Sequence, residues 1–174
     1  MEDLRYPVGK FQFSEETAPE RRQQWLNRIG ETPSRLSEAV SGLEKTQIDT
    51  PYRPGGWTVR QVVHHLADSH LNSYVRIRLA LTEDEPVVKP YREDLWAELH
   101  DARTGEIGVS IALLKALHER WTMLLRSLND TEWKRKLQHP EAGPMTIDKA
   151  AALYAWHGPH HVAQIVSLRT RSGW

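Results

Sequence analysis

The chain has 174 residues, enough for one domain with a buried core and short for two. Its 23 Lys and Arg balance its 23 Asp and Glu, so the formal net charge is zero and no basic surface argues for a nucleic-acid partner. The absence of cysteine excludes disulfides, thiolate nucleophiles and sulfur metal ligands together, so a metal site here must be built from nitrogen and oxygen.

Residues 1–14, with Tyr6, Pro7, Gly9, Phe11 and Phe13, read as an extended arm packed on the domain. The start of this arm has neither the basic residues nor the apolar stretch of a signal peptide. No apolar run further on approaches the length of a membrane span, so a cytoplasmic protein with no membrane partner is expected. From Glu16 to Leu43 the residues Trp25, Leu26, Ile29, Leu36 and Ala39 recur at helical spacing. Pro33 falls inside this run and either kinks one long helix or divides two. The loop Thr50–Gly56 is dense in helix breakers.

Thr58 then reads as a helix N-cap, with Gln61 as its capping-box partner and Trp57 and Val62 as a hydrophobic staple. The helix it starts is expected to run to about Leu81. A loop over 82–90 leads to a short helical piece around Asp94–His100. A third long helix covers about Val109–Leu128, with Leu114, Leu117, Trp121 and Leu125 on its apolar side. The connection Asn129–Pro144 is long for a bundle, and long loops are often functional. A last helix starts after Thr146, a second N-cap candidate, and reaches about Thr170. Four long helices, with no alternating strand pattern and no internal repeat, predict an all-α four-helix bundle, a single domain over 1–174. Seven Trp against two Phe is an unusual balance; most are expected to fill the core and some to line a pocket.

The last helix holds the chemistry. In Tyr154–Ile165 three histidines fall within five residues, and His157 and His161 are four apart. That spacing puts two imidazoles on one helix face, one turn apart, within reach of a single ion. Both lie on the stripe of Ala150, Leu153, Tyr154, Ile165 and Leu168 that faces the core, whereas His160 falls about 100° away, toward a rim. Pro159 between them predicts a kink or local unwinding. Two readings stand side by side: metal ligands, or buried histidines hydrogen-bonded in the core. Burying two imidazoles costs free energy unless each finds a partner.

A metal site needs a third ligand from His64, His65, His70, His100, His118, His139 or a carboxylate. In a bundle such a ligand projects inward from another helix. On the second long helix the apolar arc centres near Val59, Leu66 and Ile77. His65 lies at its edge, beside Val62 and Ser69, and is the best geometric choice. His70 lies well inside the arc and reads equally as a core histidine. His64 lies nearly opposite, toward solvent or a partner.

The run Gly56-Trp57-Thr58-Val59-Arg60-Gln61-Val62-Val63-His64-His65-Leu66-Ala67-Asp68-Ser69-His70, with Trp156-His157 and His160-His161 some ninety residues on, resembles the DinB/YfiT-like superfamily. The similarity is greatest to the YfiT branch, whose members are provisionally labelled metal-dependent hydrolases, and extends to Tyr6-Pro7, Asp49–Arg53 and His139-Pro140. It implies an up-down-down-up four-helix bundle with an N-terminal arm and short extra helices. It also implies a homodimer, and one divalent ion per chain, zinc or nickel, held by His65, His157 and His161. Gly158-Pro159 departs from relatives that carry polar residues or histidine there.

Three neutral imidazoles leave coordination positions open and the ion's charge uncompensated, which suits activation of a small nucleophile. The resemblance therefore implies a metal-dependent enzyme that activates water or a thiol. Thiol S-transfer, with bacillithiol or another low-molecular-weight thiol attacking a small electrophile, is the leading expectation. A true hydrolase and a non-catalytic metal-binding stress protein are the alternatives. No general base is named. Asp68, one turn beyond His65, either orients a ligand ring from behind or is an exposed helix charge.

Overall fold

The computed structural model describes residues 4–15 and 17–174. Among the described residues eight helices and one hairpin follow in order: α1 (Pro19–Val40), α2 (Lys45–Ile48), α3 (Val59–Thr82), α4 (Glu93–Trp96), α5 (His100–Thr104), α6 (Ile107–Arg126), α7 (Asp130–Trp133), β1 (Lys136–His139), β2 (Gly143–Thr146) and α8 (Ile147–Ser172). The long elements α1, α3, α6 and α8 form the bundle, and the local signals explain their starts. Thr58 accepts from the Gln61 N–H while the Gln61 side chain accepts from the Thr58 N–H, the full capping box. Thr146 accepts from the Lys149 N–H at the start of α8.

Cross-helix bonds give the directions. Arg22 reaches Asp148 near the starts of α1 and α8, and Arg169 reaches the Ala39 carbonyl near their ends, so these two helices are parallel. His64 meets Ser110 and His70 meets His118, so α3 and α6 are parallel as well. His65 meets His157 whereas Ser69 meets Tyr154, so α3 runs against α8. The bundle is up-down-down-up.

The apolar faces bury two clusters. One is built around Trp25, Ile29, Ile77, Trp121, Leu125, Leu137 and Ile147, the other around Leu36, Val59, Val62, Leu66, Leu114 and Ile165. Both internal prolines sit in unbroken helices. Pro33 therefore does not divide α1, and the unwinding expected at Pro159 does not occur. At the neighbouring Gly158, α8 approaches α1 so closely that a Cβ would stand 2.6 Å from Thr32 Cγ2.

The expected long loop 129–144 instead holds α7 and an antiparallel hairpin pairing Lys136 with Thr146 and His139 with Gly143. Strands of four residues are too short for period-two alternation to register, and Pro140 and Gly143 read only as turn residues. Arg135 ties the hairpin to the end of α3 through the Ala80 and Glu83 carbonyls. The arm packs as expected over its described part: Phe11 and Phe13 lie on the first cluster, and the Gly9 carbonyl accepts from Trp156 Nε1. Residues 1–3 lie outside the described residues.

Candidate metal centre

The capping box fixes the register of α3 so that His65 arrives on the face toward α8, where the Trp57 ring covers it with centroids 4.7 Å apart. On α8 the four-residue spacing sets His161 Nε2 3.2 Å from His157 Nε2. His65 Nε2 lies 3.4 Å from the same nitrogen. The structure thus brings together the three residues that the sequence singled out, with ligand atoms all within 4.8 Å of one another.

These separations test whether an ion fits. Around a tetrahedral ion with bonds of about 2.0–2.1 Å, neighbouring nitrogens stand about 3.3–3.4 Å apart. The two short separations, 3.2 and 3.4 Å, lie close to that range, and the set is all nitrogen, a donor type that suits zinc, nickel and copper alike. Burial is the main reason that the ligand imidazoles resist protonation. It pushes His65 down to about 4, and it holds His157 and His161 well below the usual imidazole range with help from their neighbours' charge. All three are therefore neutral at pH 7, the state a ligand needs.

The rings of α8 are held from behind. His157 Nδ1 lies 3.1 Å from His70 Nε2, and His70 Nδ1 lies 2.8 Å from His118 Nε2. His118 Nδ1 in turn lies 2.6 Å from the Ile29 carbonyl on α1. His161 Nδ1 lies 2.8 Å from Gln164 Oε1, and Gln164 Nε2 donates to the Arg5 carbonyl of the arm at 3.0 Å. Gln164 is not among the residues that the sequence singles out, although its position three residues after His161 is a usable signal. The sequence places His118 only among candidate ligands, because its partnership with His70 depends on how α3 and α6 align.

The remaining candidates separate clearly. His70 is fully buried, the core histidine of the two readings. His64 is buried rather than solvent-facing, bonded to Ser110 and the Gly105 carbonyl, and it fastens α3 to α5 and α6. His160 is buried too, not at a rim: it stacks on Trp156 with centroids 4.4 Å apart and bonds Gln164. The arm covers this flank of α8, which a helical wheel cannot show. His100 is exposed beside Thr104, and His139 caps the hairpin turn. Among the described residues no hydrogen bond joins the Asp68 side chain to the three imidazoles; its half-buried carboxyl is pushed up to about 6 by burial and by Asp101.

A cavity of about 360 Å³ opens onto the triad, lined also by Tyr6, Trp57, Trp156, Glu93, Arg5 and Arg53. Its size suits a small molecule. Among the described residues no helix is long and apolar enough to cross a membrane.

The family model described as the DinB superfamily matches residues 28–165. The “Putative metal-dependent hydrolase YfiT” of Bacillus subtilis (strain 168) is 48% identical over 99% of this chain and 97% of its own. A “Putative metal-dependent hydrolase” of Bacillus cereus (strain 03BB102) is 49% identical over the full length of both. The solved structure of YfiT from Bacillus subtilis, described as a probable metal-dependent hydrolase with an unusual four-helix bundle topology, superposes with a TM-score of 0.97 and covers 99% of each chain.

Proposed function

This chain belongs to the DinB superfamily, and on that premise we propose that it is a metal-dependent enzyme whose zinc or nickel ion is held by His65, His157 and His161. The observation that carries the proposal is the convergence of three neutral imidazoles, two buried and His157 partly so, on the wall of an open cavity. Their relatives' description as metal-dependent hydrolases supports it.

A divalent ion held by three uncharged ligands supplies undiminished positive charge, which favours the deprotonated form of a water or thiol. The chain's own residues do the rest. Gln164 and His70 hold two of the rings, and Trp57 covers the third. Trp57, Trp156 and Tyr6 give the cavity an aromatic wall beside the triad.

The leading chemistry is thiol S-transfer: a sulfur–carbon bond forms at an electrophile as its bond to the leaving group breaks, and the thiol proton leaves with that group. The cysteine-free chain fits a sulfur brought in by a cosubstrate such as bacillithiol. Hydrolysis is the second reading, favoured by the relatives' description.

The test is metal-loaded protein with bacillithiol and a bimane or epoxide electrophile, following free thiol. Metal-dependent thiol loss is expected. Ester or amide turnover without thiol loss selects the hydrolase, and a metal-dependent melting temperature without turnover selects a non-catalytic binding protein. His65→Ala should abolish turnover and cut metal occupancy; full occupancy would refute its place among the ligands. The homodimer also stays a proposal, tested by light scattering.

A further inference from the structure

We propose that two uncharged hydrogen-bond chains, His157–His70–His118–Ile29 carbonyl and His161–Gln164–Arg5 carbonyl, position the centre by fixing both α8 imidazoles as Nδ1–H tautomers before any ion arrives. The proposal deepens the metal reading above and rests on it for its purpose.

Each chain ends on a backbone carbonyl, which only accepts, and that end dictates every proton along it. The Ile29 oxygen requires a hydrogen on His118 Nδ1, 2.6 Å away. A neutral His118 then has a bare Nε2, so the 2.8 Å contact requires a hydrogen on His70 Nδ1. His70 Nε2 is bare in turn, and the 3.1 Å contact requires a hydrogen on His157 Nδ1. His157 Nε2 is left with a lone pair facing the cavity. In the second chain the Arg5 carbonyl orients the Gln164 amide with nitrogen toward it, turning Oε1 to His161. His161 Nδ1 must carry the hydrogen, and Nε2 is again bare. His70 and His118 are both fully buried, and among the described residues their rings' hydrogen-bond partners are only each other, His157 and the Ile29 carbonyl, so neither ring has a carboxylate beside it to balance a charge.

Two consequences follow. The 3.2 Å contact between His157 Nε2 and His161 Nε2 is not a hydrogen bond but two lone pairs face to face, an arrangement that a shared cation relieves. Pro33 also acquires a role. In a helix its N–H would bond the Ile29 carbonyl, and proline has none, so that oxygen is left to His118.

The test uses the whole protein and reads tautomers before metal. Long-range proton–nitrogen NMR of metal-free protein should show His157 and His161 both protonated at Nδ1 and bare at Nε2. Either ring predominantly in the opposite tautomer overturns the proposal. Cobalt titration then reads function. His118→Phe removes the acceptor for His70 and should weaken cobalt binding about 10- to 100-fold and alter the cobalt visible spectrum. His118→Gln, whose amide can donate to Ile29 and accept from His70, should retain most of the affinity and the wild-type spectrum. If His118→Phe binds cobalt like wild type, or His118→Gln is as weak as His118→Phe, the proposal falls. Should wild type bind no cobalt, zinc or nickel, the metal reading fails by itself, and the tautomers still decide the chains.

Discussion

His118 shows at the level of one residue how burial sets a pH response. Its imidazole is held at about 4, against roughly 6.5 for an exposed one. The folded state therefore resists a proton that the unfolded chain accepts. Above about pH 6.5 the residue has no effect on the slope. As pH falls from about 6.5 toward 4 it destabilises the fold, and the displacement is worth on the order of 3 kcal/mol once pH 4 is reached. Urea midpoints of the metal-free protein should be flat above pH 6.5 and fall below it, with a shallower fall in His118→Gln. Equal slopes in the two proteins would contradict this account. His70 contributes with the same sign, since burial lowers it as well.

Between elements, the tightest approach is that of α8 to α1 at Gly158. A methyl added there meets Thr32, whose hydroxyl is itself committed to the Arg28 carbonyl at 2.9 Å. Gly158→Ala should therefore destabilise by about 1–3 kcal/mol despite alanine's better helix propensity, because overpacking outweighs propensity here. Thermal melts would show it, and adding Thr32→Ala should recover part of the loss. Without a steric clash the single variant would be the more stable protein. The same helix carries two of the three proposed ligands, so metal affinity should fall in parallel wherever the α1–α8 approach is widened.

Across the whole molecule, α1 and α8 are also locked at their starts. Arg22, buried, donates from Nε and Nη2 to the two oxygens of Asp148 at 2.7 and 3.0 Å, and from Nη1 to exposed Asp130 at 2.6 Å, with Trp133 against its guanidinium. Asp148→Ala strands that charge with one solvent-exposed partner and should cost about 3 kcal/mol, read as a lower denaturant midpoint. A loss under about 0.5 kcal/mol would mean that Asp130 alone satisfies Arg22. Much of this molecule was legible from local chemistry. Helix periodicity gave the four long elements, Thr58 with Gln61 and Thr146 gave two of their starts, and the i,i+4 spacing gave the His157/His161 pair, because these signals live within one turn of chain. The helical wheel favoured His65 over His70, and the resemblance assigned it as the third ligand and added the bundle topology. Hidden were the hairpin at 136–146, the burial of His64 and His160, the unbroken helices through Pro33 and Pro159, and the His70–His118–Ile29 support. Each depends on what a neighbouring element brings alongside: the arm over His160, α5 and α6 against His64, and a carbonyl on α1 opposite an imidazole on α6. The sequence by itself determined which long helices form and that His157 and His161 share a face. Only the tertiary structure decided which nitrogen of these two α8 imidazoles is bare, since that depends on hydrogen-bond chains whose links reach 48 to 159 residues along the sequence.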